Sequence, residues 1–384
     1  MKLLFDCRDI FRAPRLALSL QRMWIQLVGL IIGYLGYLVF TYGAMIAAGF
    51  QFSNSWAKYG LLPCLFMVGE PFPWFSWVIF AVGVMFLLIV FLITNTAVAR
   101  AAYMLIKGNN FYTWREAFAF AMRKTASIIL TPVSLGVLIG LLIVGALIIG
   151  LLGKIPVVGV LGIGAFMLLW LLAALFLVFI IVILFVSFVL VPSIIATTDE
   201  DAFEAVFQTF SITWNQPWRL VIYEVAVVIL AIFSTGILAV AIKKAVWAMN
   251  ALLSTFMGSD YINLANNAQA MVQSWLLSAQ ILVQGIYQQF SHYLYFSHEF
   301  IAIPANELTT VAVIASYLYA FTLLFIAGWV VSYGLSTFTI GNTLIYIVLR
   351  HKKDGENLLE RQDAEEEEVE EDESTEEKES VDSE

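Results

Sequence analysis

The chain has 384 residues, 61% of them hydrophobic and only 13% charged, with a mean hydropathy of +0.87. A soluble domain of this size would carry roughly a quarter charged residues, so a soluble globular protein is excluded. The formal charge of −9 misdescribes the body of the chain: residues 354–384 hold 17 acidic side chains against Arg361 and Lys378, which leaves +6 for the rest.

In chain order, DIFRAPRLALSLQRMW comes first. At helical spacing it places Leu16, Leu20 and Trp24 on one face and Arg15, Ser19 and Arg22 on the other. Residues 1–23 are therefore predicted to form a basic helix lying on an anionic lipid surface. The apolar run that follows is too long for a cleaved signal segment and is read as a retained span, 24–48. Further runs long enough to cross a bilayer cover about 74–99, 126–152, 157–191, 218–241 and 310–333. The fourth and sixth are over-long. Gly334–Arg350 prolongs the sixth with polar interruptions at Ser336, Thr337, Thr339 and Asn342. A seventh span there is disfavoured, because it would place the basic RHKK on the wrong side. Gly136 and Gly140 form GxxxG, a pattern that permits close helix approach.

With both termini cytoplasmic, 16 lysines and arginines fall inside and only Lys58, Lys154, Lys243 and Lys244 outside, as the positive-inside rule requires. Cys7 and Cys64 then lie on opposite sides and cannot pair. Segment 242–307 is outside and interleaves apolar and aromatic residues with Gln, Ser and Asn. It predicts one or two amphipathic helices on the outer face, either a docking surface for a partner or lipid, or a lid. His292, His298 and Glu299 lie in it. The two histidines are six apart, on different faces of a helix, so no metal site is expected. Residues 351–384 read as a disordered acidic tail that would attract basic partner proteins.

Two loops on the inside share a plan. Thr198 with Asp201 gives a capping-box-like start, and Phe203, Phe207, Phe210 and Trp214 follow at steps of four, three and four. They form an apolar stripe on a helix too short to span. Glu204, Gln208, Ser211 and Asn215 form the opposite face, and Pro217 opens the fifth span. In the other loop Thr113 and Glu116 form a capping box. Trp114, Ala117, Phe118, Ala121 and Met122 make its apolar face, and Pro132 closes it. Both Thr-to-Pro intervals are 19 residues, at a constant offset of 85. This predicts that spans two and three with their loop repeat as spans four and five.

The stretch PSIIATTDEDAFEAVFQTFSITWNQPWRL resembles the loop of a broad group of uncharacterised bacterial multi-span membrane proteins. That group is related to the membrane domain found beside glycerophosphodiester phosphodiesterases. The residues carrying the likeness are Pro192, Glu204-Ala205, Ser211 and Trp218-Arg219; LIKGNNFYTWREAF resembles the group's other loop. The resemblance covers spans two to five and implies a fold type and a bacterial membrane location. It does not imply phosphodiesterase activity, whose catalytic barrel needs about 250 residues.

Ionisable groups inside the spans are few. Glu224 is the clearest, with Arg100 at the end of the second span. They are candidates for an intramembrane polar pair, with Arg219 the alternative partner of Glu224, or Glu224 for a proton or cation site. Arg100 also suits an interfacial anchor that snorkels to the headgroups. No Walker loop, dinucleotide fingerprint or nucleophile elbow occurs, so no cofactor and no nucleic acid is expected.

The expectation is thus an all-α polytopic helix bundle of about six spans with interfacial amphipathic helices, forming one transmembrane body over 24–350. Its expected role is non-catalytic: a scaffold or accessory subunit in the bacterial inner membrane that binds membrane lipids or partner proteins. The alternative is a transporter or permease component. An intramembrane enzyme would need a convergent polar cluster, which the spans do not reveal in sequence.

Overall fold

A computed structural model describes residues 3–67, 71–276 and 309–361. The predictions made for His292, His298, Glu299 and most of the acidic tail lie outside them. The described residues are helical with no strand, and the fold is an all-α bundle. Six helices among the described residues are long and apolar enough to cross a membrane, so the chain is a multi-pass membrane protein.

In chain order the helices are α1 (Cys7–Ile10), α2 (Ala13–Ala17), α3 (Leu20–Ala47), α4 (Phe52–Tyr59), α5 (Trp74–Lys107), α6 (Trp114–Arg123) and α7 (Thr125–Leu152). They continue as α8 (Val158–Ala165), α9 (Met167–Thr198), α10 (Ala202–Asn215), α11 (Pro217–Met257), α12 (Ser259–Trp275) and α13 (Thr310–Asp354). The spanning helices are α3, α5, α7, α9, α11 and α13. The shortest has 28 residues, about 42 Å at a rise of 1.5 Å per residue, against a hydrocarbon core of about 30 Å.

Several boundaries correct the sequence reading. The predicted N-terminal helix over 1–23 is broken: Leu18, with ψ 68, ends α2. Leu16 and Arg22 are buried while Leu20 is exposed, so the predicted two faces do not exist. The fourth span divides at Phe166 into α8 and α9. Pro132 and Pro192 lie inside α7 and α9 rather than closing anything; a membrane helix tolerates this where neighbours re-satisfy the freed backbone. The fifth span continues unbroken to Met257, well into the predicted outside segment. The sixth runs to Asp354, so no separate seventh span forms. A short turn of helix at Leu358–Glu360 follows, so 351–361, the first part of the expected tail, is built into the fold.

The chain divides into two compact units. The first comprises Met1–Gln26, Leu92–Ala231 and Leu335–Glu384, and the second Leu27–Phe91 and Ile232–Gly334. In the first, a core including Tyr103, Phe120, Ile194, Ile212 and Tyr346 lies under α6 and α10. There α7 packs on α9, and α10 on both. Most of the surface of α7 faces outward, as it must where the solvent is hydrocarbon. In the second, Tyr42, Met45, Tyr59 and Phe80 form an aromatic core beside α4. The amphipathic α12 buries Tyr261, Ala265 and Ala268. Its end is tied down where Leu61 N donates to Trp275 O at 2.9 Å.

The two surface helices start differently. Thr113 caps α6 in a full capping box with Glu116. Asp201, not Thr198, caps α10: Glu204 N donates to Asp201 Oδ1 at 3.0 Å, whereas the Thr198 hydroxyl donates to Ile194 O at 2.8 Å inside α9. Caps at 113 and 201 give an offset of 88 rather than 85. In that register Glu116 meets Glu204 and Ala117 meets Ala205, and the buried Phe120 and Ala121 meet the buried Gln208 and Thr209. The order long–short–long of α5–α6–α7 recurs in α9–α10–α11.

Losing a cap of this kind costs ~1 kcal/mol. Asp201→Ala is therefore expected to speed amide exchange in the first turn of α10 by about fivefold. Thr198→Ala is expected to leave that turn unchanged. Hydrogen exchange in detergent micelles reads both, and equal effects would restore Thr198 as the cap.

Candidate functional site

The first unit gathers polar side chains that the sequence scatters over four helices. At the start of α3, the Gln26 Nε2 donates to Asn95 Oδ1 at 3.3 Å. From α13, the Thr339 hydroxyl donates to the same oxygen at 3.1 Å. One carbonyl oxygen thus accepts twice, which its two lone pairs allow. Ser193 of α9 and Thr343 of α13 share a hydrogen bond at 3.3 Å, and the Ser336 hydroxyl donates to Arg22 O at 3.3 Å. Asn342 is 1% exposed, and among the described residues neither its Oδ1 nor its Nδ2 has a hydrogen-bond partner; nor does the Gln26 Oε1. Unmade bonds of this kind cost free energy in a low-dielectric interior.

These residues are the convergent cluster that the spans do not reveal in sequence. Its signals are present there as separate polar interruptions, Thr94-Asn95 on one span and Ser336, Thr339 and Asn342 on another. Nothing in one dimension joins them.

Arg100 is 0% exposed. Its Nη1 donates to Ala196 O at 3.0 Å, and its guanidinium lies 4.2 Å from the Phe120 ring centroid and 5.8 Å from that of Tyr103. It is a core residue clamped between α5, α6 and α9 rather than an interfacial anchor. Glu224 is half-buried. Its spacing from the buried Leu220, Val227 and Ala231 puts it on the packed stripe of α11. No hydrogen bond or ion pair joins Glu224 to Arg100 among the described residues. Arg219 is exposed and reaches Gln216 Oε1 at 3.5 Å. The pair expected from sequence is not brought together.

The stripe of α10 faces outward: Phe203 is 79%, Phe207 56% and Trp214 65% exposed. Phe210 is partly covered, edge-on to Phe179 of α9 at 5.4 Å between centroids. The buried face is instead Ala205, Gln208, Thr209, Ile212 and Thr213, the small and polar side. On α6 the buried residues are Ala117, Phe120 and Ala121, while Trp114 and Met122 face outward. Of the apolar face read from sequence, Ala117 and Ala121 are buried while Trp114 and Met122 are not; the core takes small residues for close approach, with one large side chain, Phe120, to cover Arg100.

The four acids around this loop each have a separate task. Asp199 pairs with Lys124 at 2.7 Å, Glu200 with Arg361 at 2.6 Å, Asp201 caps α10, and Glu204 accepts from Gln208. Gln208 in turn accepts from Arg350, whose guanidinium also pairs with Asp354 and Glu356, each at 2.9 Å. Sequence reasoning puts Gln208 on the solvent side and gives Arg350 no role.

Both cysteines are free. No group of three metal-ligating side chains occurs among the described residues. No family model, curated protein or solved structure matches this chain.

Proposed function

We propose that this chain is a non-catalytic integral membrane protein, a scaffold or accessory subunit that binds membrane lipid and partner proteins. On this reading it lies in the bacterial cytoplasmic membrane with both termini in the cytoplasm. The observation that carries the proposal is the outward aromatic stripe of α10. At 14 residues, about 21 Å, the helix is too short to span. Its far side is held by α7 and α9, so the aromatic side is free to engage headgroups or a partner. The loop resemblance and the charge count support the location, and the acidic tail would draw basic partners.

A spin label at Phe207→Cys, in a Cys7→Ser and Cys64→Ser background reconstituted in vesicles, tests it. Collision with dissolved oxygen is expected to exceed collision with an aqueous nickel chelate. The reverse order places that face in water and overturns the lipid reading. Purification in mild detergent that returns the chain alone at every salt concentration would remove the partner reading.

A transporter or permease component is the second reading, favoured by the Asn342 amide and the Gln26 Oε1, which have no hydrogen-bond partner among the described residues, and by Glu224 on a packed stripe. Solute uptake into proteoliposomes, lost in Glu224→Gln, would put it first.

A further inference from the structure

Three arginines on the first unit converge on one cavity of about 660 Å³, lined by Arg12, Arg15, Leu16, Arg22, Leu105 and Asn110, with Gly108. Arg22 is 7% exposed, and its position is fixed. Its Nε donates to Leu16 O at 2.6 Å, at the end of α2. Its two terminal nitrogens have no partner among the described residues. Arg15 is exposed and joins no ion pair among them. Only Arg12 is neutralised, by the buried Asp9 at 3.1 Å. Three guanidinium groups against one carboxylate leave a net charge of about +2 facing the cavity.

The far wall is equally built. Gly108 ends α5 with φ +118, a conformation other residues rarely adopt, and this turns the chain towards Asn110. The loop is then tied to the start of α3, where Gln21 Nε2 donates to Tyr112 O at 2.7 Å.

From this we infer that the cavity between α2, the start of α3 and the end of α5 is a binding site for a phosphate group. A buried guanidinium without a carboxylate is costly, and the planar fork of arginine matches phosphate oxygens two at a time. Arg22 stands two residues before Trp24, where the apolar run of the first span begins, and Gly108 follows the last residue of the second spanning helix. The site therefore lies at headgroup depth, on the side proposed above to be cytoplasmic. Phosphate at that level is carried by anionic lipid, and the volume admits more than a bare phosphate. The assignment of depth rests on the lipid reading above; the phosphate chemistry does not.

The full chain in detergent micelles is titrated with phosphatidic acid, with diacylglycerol as the phosphate-free control and with inorganic phosphate alone. Phosphatidic acid is expected to bind, and Arg15→Gln and Arg22→Gln each to raise its Kd about tenfold. Arg22→Lys is expected to recover part of the loss. Arg15→Gln alters an exposed side chain and so tests the site even if Arg22→Gln fails to fold. Lipid binding that millimolar inorganic phosphate does not displace assigns the source to lipid, and arginine-dependent binding of inorganic phosphate alone assigns it to a soluble phosphate. Either outcome supports the site. Equal affinity in wild type and Arg15→Gln, or diacylglycerol binding as tightly as phosphatidic acid, overturns it. That failure would leave the Phe207 label result untouched, so the two readings fall separately.

Discussion

Arg100→Ala is expected to lower stability by about 3–5 kcal/mol, the combined size of a charged hydrogen bond, a cation–π contact and a buried cavity. Three losses coincide. The Ala196 carbonyl gives up a charged donor at 3.0 Å in a place water does not reach. The Phe120 ring loses a cation 4.2 Å from its centroid. The void left beside Phe120 and Ala196 adds a cavity term. Arg100→Lys keeps the charge but neither the plane nor the reach of the fork, so an intermediate loss is expected. Glu224→Gln should stay within about 0.5 kcal/mol, because its half-buried carboxyl has no bonded partner among the described residues. The double variant should show no coupling between the two sites. Denaturant titration in detergent micelles gives all of these values. A coupling energy of about 1 kcal/mol or more would restore the pair that the sequence suggests. An Arg100→Ala loss below 1 kcal/mol would refute the clamp.

The spans are legible because bilayer thickness writes itself into composition: a hydrocarbon core demands about 20 consecutive apolar residues, and a soluble core seldom tolerates so long a run. The capping box at Thr113 is legible too, since both of its members are local. What fails are inferences that need a neighbour. Thr198 and Asp201 both suit a helix start. Asp201 takes the role only because α9 continues through Thr198, as the backbone of a spanning helix must keep its bonds. The aromatic stripe of α10 is one face in the sequence and in the fold. Which face is buried depends on the close approach of α7 and α9, which admits Ala205 and Thr209 more readily than Phe203. Asn95, Thr339 and Asn342 are visible as polar interruptions, yet their convergence is a property of two helices far apart in sequence and has no one-dimensional signature. Arg100 resembles a snorkelling anchor in sequence because it ends a hydrophobic run; α6, whose predicted apolar face omits Phe120, folds over it.

The glycines separate the same two kinds of information, and they yield the second large effect. GxxxG at Gly136 and Gly140 points to a helix contact, but a Cβ added at either position meets nothing within 4 Å. In the second unit Gly36 of α3 and Gly83 of α5 have no such motif. Yet a Cβ at Gly36 would fall 2.1 Å from the Phe86 ring, and one at Gly83 would fall 2.6 Å from the Cβ of Phe40. Each helix thus sets a phenylalanine over the other's glycine, Phe40 one turn after Gly36 and Phe86 one turn after Gly83. The two rings lie 6.2 Å apart at 50°. Phe86 can swing its ring aside, whereas the Cβ of Phe40 moves only with its helix. Gly83→Ala is therefore expected to cost about 1–3 kcal/mol, as overpacking does, and Gly83→Val more. Gly36→Ala should cost less than Gly83→Ala. Gly136→Ala and Gly140→Ala should be neutral or stabilising by up to about 1 kcal/mol through helix propensity alone. Thermal unfolding in nanodiscs ranks the four. If Gly136→Ala proved the most damaging, α7 would have to pack against another molecule through its glycines, and the α3–α5 crossing would not be the contact that orders the second unit.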